Sequence, residues 1–178
     1  MSNNKNSKRI RRMVYAAICL ALALVLPFLT GQVPQIGKML CPMHIPTLLC
    51  GFICGPIWGA LIGFIAPLLR YLLFGMPMLM PTGLSMAFEL CAYGIITGIV
   101  YKRFPKKPGY IYLTLVIAMI IGRIVAGIAT YLIMASGGNA YTMATFLSVN
   151  FAMAVPGIIV QIILIPVIVM ALEKSKLI

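Results

Sequence analysis

Residues 43–74 read MHIPTLLCGFICGPIWGALIGFIAPLLRYLLF, with one charge, Arg70. The run is too long for one straight crossing of a hydrocarbon core about 30 Å thick, which takes about 20 residues. Gly55 and Pro56 divide it, because glycine ends a helix well and proline starts one well. Two apolar helices follow, about 43–54 and 56–74. The first is short for a span and is expected to tilt or to begin earlier.

Outward from this block the same pattern repeats. A first span is expected over 11–29, ending near Pro27 and Gly31. Beyond the compact GMPMLMP loop (75–81), helices are expected over 83–104, 110–135 and 142–172, the last bent by Pro156 and Pro166. The whole is an all-α, six-transmembrane-helix bundle, a single membrane domain over 1–178 with a basic tail at 1–10. Composition agrees, since 62% of residues are apolar and 9% charged. A soluble domain carries about 25% charged residues, so this surface needs lipid as its solvent. The apolar stretch after the basic N-terminus is long enough to span, and with no small-residue cleavage site after it, it does not read as a secretory signal peptide.

The formal charge of +12 first invites a nucleic-acid reading, and its distribution argues against one. Lys5, Lys8, Arg9, Arg11 and Arg12 precede the first span. Lys102, Arg103, Lys106 and Lys107 lie between the fourth and fifth, and Lys174 and Lys176 close the chain. With six crossings these segments share a side, which the positive-inside rule makes cytoplasmic, together with both termini. Partners are then a lipid bilayer and a small molecule, not nucleic acid.

The five cysteines form no CxxC motif, and free cysteine is by default a small buried hydrophobe. Cys41, Met43, His44, Cys50 and Cys54 admit a soft-metal reading, but one histidine and no ligand pair at site-like spacing leave no metal and no cofactor expected. No phosphate loop, HExxH or GxSxG motif is present, so neither ATP use by that chemistry nor hydrolysis is expected of this chain. His44 has no acidic neighbour in sequence.

Chemistry is confined to a few intramembrane polar groups. Glu89 is one of only two acids, and an ionised carboxylate there costs several kcal/mol unless partnered or hydrated. Ser85, Glu89, Tyr93 and Thr97 are spaced four apart on one helix face. Arg123 is near the middle of the fifth helix, with Gly127 and Tyr131 on its face. Asn150 and Gln161 are three turns apart on the sixth. These faces are expected to surround one pocket opening outward, with Arg70, Glu89, Tyr93, Arg123, Tyr131 and Asn150 as substrate-binding residues. The charges of Arg70, Glu89 and Arg123 sum to +1, which suits an anionic group such as a carboxylate. Structural readings stand beside this one: Arg70 snorkelling to the interface, a Glu89–Arg123 pair that only fixes packing, and Tyr, Asn or Thr as interhelical hydrogen bonds. Small-residue steps at Ala17 and Ala21, and at Ala118, Gly122 and Ala126, let helices approach closely, inside the fold or against a partner.

Met43–Gly55 (MHIPTLLCGFICG), Phe64–Pro81 (FIAPLLRYLLFGMPMLMP) and Ser85–Gly94 (SMAFELCAYG) resemble the substrate-binding S components of energy-coupling factor (ECF) transporters. The similarity extends over most of the chain. It implies capture of a vitamin or related micronutrient from outside, in a pocket in the outer half of helices four to six that loops one, three and five close. It also implies docking of helix one, through Ala17 and Ala21, on a transmembrane coupling subunit that carries two ATPase subunits. Substrate release then follows toppling of the S component in the membrane. The resemblance does not assign the pocket residues, which rest on the helix faces above. Pantothenate, a carboxylate with hydroxyls and an amide, is the first candidate substrate. The principal alternative is an ion-coupled secondary transporter with Glu89 as proton carrier, against which no inverted repeat is evident. A membrane enzyme and a purely structural subunit are the remaining classes.

Overall fold

The structure is a computed structural model and describes residues 2–30, 39–105, 107–136 and 154–175. Six α-helices are present among these residues: α1 (Ser2–Val25), α2 (His44–Cys54), α3 (Pro56–Phe74), α4 (Leu84–Arg103), α5 (Pro108–Ser136) and α6 (Val155–Lys174). All but the eleven-residue α2 offer at least 18 residues apolar enough to cross a bilayer. Large apolar side chains such as Leu72, Ile57 and Ile163 are exposed around the bundle. Soluble monomers do not present apolar surface on that scale, whereas lipid accepts it.

Helix boundaries follow local chemistry. α1 begins at Ser2, well before the apolar stretch, because lysine and arginine propagate a helix nearly as well as leucine. It tightens at Leu26–Thr30 into a 3₁₀ turn around Pro27, where proline cannot continue α geometry. Gly55 joins α2 to α3 at φ 92°, a conformation that L side chains rarely adopt. Pro56 then opens α3. Residues 142–153, at the start of the expected sixth span, lie outside the described residues, as do residues 31–38 of the loop after α1.

α4 is the centre of the bundle. It packs on α2, α3 and α5, while α1 lies against α2 and α3, and α6 against α2 and α5. Contact between α3 and α4 depends on glycines facing one another. A Cβ on Gly59 would stand 2.8 Å from the Gly94 Cα, and one on Gly94 would collide with the Gly59 carbonyl group. Ala118, Gly122 and Ala126 of α5 are also turned inward, and the Tyr93 ring occupies the space beside Gly122. On α1, Ala16 and Ala23 are buried, whereas Ala17 and Ala21 are exposed. They share that surface with Val14, Ile18 and Leu22.

Candidate functional site: a buried polar cluster on Glu89

On α4 the residues spaced four apart, Ser85, Glu89, Tyr93 and Thr97, are all buried. Two of them serve the backbone: the Ser85 hydroxyl donates to Thr82 O, and the Thr97 hydroxyl donates to Tyr93 O. Glu89, about 7.5 Å from the start of α4 at 1.5 Å per residue, does something different. Its Oε1 accepts the Tyr93 phenol at 2.9 Å. The same oxygen lies 3.4 Å from His44 Nε2 and 3.5 Å from Arg123 Nε. Glu89 and Arg123 are only 6% and 5% exposed. Three helices thus converge on one carboxylate oxygen, and the His44 and Tyr93 rings lie 5.4 Å apart at 59°.

The two longer contacts are ion-pair distances rather than hydrogen bonds. Arg123 Nε and Nη2 and both His44 ring nitrogens accordingly lack hydrogen-bond partners among the described residues, as do both amide atoms of Gln161 and the Thr114 hydroxyl. Buried polar atoms are nearly always paired in native structures, so this concentration marks a place with unused hydrogen-bonding capacity. Arg123 also faces the buried Cys41 thiol. Among the described residues no three His, Cys, Asp or Glu side chains are placed to hold a metal ion. Beside the cluster, between α5 and α6, a cavity of about 160 Å³ is lined by Val116, Met119, Ile120, Arg123, Ile158 and Ile162. Its wall is almost wholly hydrocarbon, with Arg123 the one charged residue among those that line it.

Of the expected site residues, Glu89, Tyr93 and Arg123 meet in this cluster. Tyr131 is on the same helix as Arg123 but 57% exposed. Asn150 lies outside the described residues. Arg70 is buried against α1: its Nη1 donates to Leu24 O at 2.5 Å, and the guanidinium stacks 5.0 and 5.3 Å from the centroids of Phe28 and Phe74. It therefore satisfies one of the carbonyls left open at the end of α1. Arg70→Ala is expected to cost about 1–3 kcal/mol of stability, the range for a hydrogen bond to a charged group plus cation–π contact. Ligand affinity should stay within about twofold, on the view that the side chain acts on packing. A thermal melt and a binding isotherm on one preparation read both.

His44 is the residue that the sequence reading missed. Its partner is Glu89 on another helix, and no period in the sequence links the two. The usable signal was depth: His44 opens α2 at the same end of the bundle at which Glu89 enters α4.

A set of bilayer-length apolar helices that buries a carboxylate, a guanidinium, an imidazole and a phenol together defines a multi-pass membrane protein with an intramembrane polar site. The family model described as ECF transporter, substrate-specific component, matches residues 11–170, and the chain belongs to that family. It is a substrate-binding transporter subunit rather than an enzyme, and the family implies association with an ECF coupling subunit and ATPases. No curated protein and no solved structure matches the chain.

Proposed function

We propose that this S component captures a vitamin or related micronutrient at the Glu89 cluster and delivers it through a coupling subunit driven by two ATPases. The observation that carries the reading is the unused hydrogen-bonding capacity of Arg123 and His44 beside an otherwise apolar cavity. With both termini cytoplasmic, as the distribution of Lys and Arg argues, the α3–α4 turn and the cluster fall in the outer half of the membrane. The substrate then enters from outside. Arg123 would take an acceptor on the ligand, with Tyr93 and Glu89 orienting the guanidinium, and the Ile158 and Ile162 side of the cavity would take its apolar part. Tyr131 and Asn150 are retained as candidate walls of the same pocket.

Pantothenate remains the first candidate. With Arg70 engaged on α1, the positive charge at the cluster is that of Arg123, which faces Glu89. A thermal-shift panel of B vitamins and precursors tests the reading. A ligand at a thousandfold excess over Kd stabilises by about 4 kcal/mol, so one strong hit is expected. No hit with folded protein would count against capture.

The face of α1 that carries Ala17 and Ala21 is exposed and apolar, which suits docking on the coupling subunit. Ala17→Trp/Ala21→Trp should leave vitamin affinity within about twofold, because neither residue contacts the cluster. The same pair should abolish co-purification with the coupling subunit. Intact assembly would remove this face from docking.

A further inference from the structure

At the opposite end of the bundle from the Glu89 cluster lies a second and larger cavity, of about 490 Å³. Three elements meet there: the basic start of α1, the α2–α3 turn, and the end of α4. Arg11, Arg12 and Lys102 supply its charge, and Tyr15, Phe52 and Tyr101 much of its apolar wall. Lys102 folds back over the turn, so that its Nζ stands 3.0 Å from where a Cβ on Gly55 would sit.

Among the described residues no carboxylate lines this cavity. Among the described residues, neither Arg11, Arg12 nor Lys102 has an acid within ion-pair distance, since the two ion pairs there both belong to Glu89. Glu173 is held nearby by the Tyr101 hydroxyl, which donates to its Oε1. Three cations are thus gathered around one concavity, and the acid beside it, Glu173, is engaged by Tyr101 and pairs with none of them, an arrangement that attracts an anion. The volume falls within the roughly 300–1,000 Å³ typical of small-molecule sites. From Tyr15, Ile18 and Leu22 continue along α1 at helical spacing, and both are exposed. An apolar track therefore leads from the charged cavity toward the bilayer interior.

We propose that this cavity binds the phosphate-bearing headgroup of an anionic lipid, with Arg11, Arg12 and Lys102 on the phosphate and an acyl chain along Tyr15, Ile18 and Leu22. Guanidinium groups suit phosphate because they present paired N–H donors. Basic pockets between helices at the cytoplasmic level hold anionic headgroups by the same chemistry. The site is separate from the vitamin pocket and stands or falls without it.

The test titrates the purified full-length chain in neutral detergent with short-chain phosphatidylglycerol, with phosphatidylcholine of the same chain length, and with inorganic phosphate. Binding is read by native mass spectrometry. The wild type should retain one phosphatidylglycerol about tenfold more tightly than phosphatidylcholine, with inorganic phosphate weaker than the lipid because it lacks the chain. Arg12→Gln/Lys102→Gln should lower phosphatidylglycerol affinity about tenfold or more, since two of the three cations on the phosphate are lost. Arg103→Gln removes a neighbouring charge that does not line the cavity, and should lower affinity clearly less than the double variant does. Equal loss in Arg103→Gln would reduce the effect to general surface charge and overturn the site. Inorganic phosphate binding as tightly as the lipid would assign the cavity to a soluble anion and overturn the lipid identity. Should the double variant fail to fold, the wild type still decides: stepless uptake of several lipids, or no preference over phosphatidylcholine, overturns the proposal.

Discussion

Arg123→Ala is expected to weaken binding of the captured vitamin about ten- to a hundredfold, the loss of one or two hydrogen bonds to a charged group. The guanidinium lies 3.5 Å from Glu89, and Arg123 is the one charged residue among those lining the cavity, so truncation removes the donors proposed for the ligand. It also leaves Glu89 buried with only His44 and Tyr93, and uncompensating one member of a buried ion pair costs about 3–5 kcal/mol. The two effects separate in the double variant Arg123→Ala/Glu89→Gln. Neutralising the stranded carboxylate should recover most of the lost thermal stability while affinity stays low, since no cation returns. Calorimetric titration and melting curves on the four members of the cycle measure both quantities. Undiminished affinity in Arg123→Ala would place the guanidinium outside the binding site and make the cluster a packing device.

Gly94→Ala is expected to be strongly destabilising. A Cβ at this position would collide with the Gly59 carbonyl carbon and oxygen, and backbone, unlike a side-chain tip, cannot rotate away. The helices must separate, and overpacking of this kind costs about 1–3 kcal/mol, or more where neighbours are rigid. α4 also carries Glu89 and Tyr93, so displacement should disturb the cluster and reduce vitamin affinity with stability. Gly109→Ala is the control, because a Cβ there meets nothing within 4 Å. Its effect should stay within about 1 kcal/mol, the scale of helix propensity alone. A Gly94→Ala chain as stable as the control would mean that α3 and α4 are not held at glycine contact.

What the sequence made legible was governed by local chemistry. The Gly55–Pro56 break is visible because both residues act on the backbone itself. The buried row from Ser85 to Thr97 is visible because residues four apart share a helix face. Distances between helices are another matter. His44 and Glu89 belong to different elements, and only the packing of α2 on α4 brings them to 3.4 Å. Spacing fixes a face only loosely: eight residues rotate about 80° at 3.6 residues per turn, and Tyr131 is 57% exposed where Arg123 is buried. Glycine contact is encoded in the pairs Gly59/Gly63 and Gly94/Gly98, but spacing alone does not say which helices meet there. The helix position of Arg70 says nothing about the end of α1 that it reaches.

The most direct test of the account is uptake of the vitamin identified by thermal shift into proteoliposomes. The purified chain is reconstituted alone, and then together with its coupling subunit and ATPases, with ATP enclosed. The account predicts ATP-dependent accumulation in the complete assembly, its loss with Arg123→Ala, and no concentrative uptake by the chain alone under an imposed proton gradient. Accumulation by the isolated chain, driven by that gradient and abolished by Glu89→Gln, would contradict it and identify an ion-coupled carrier.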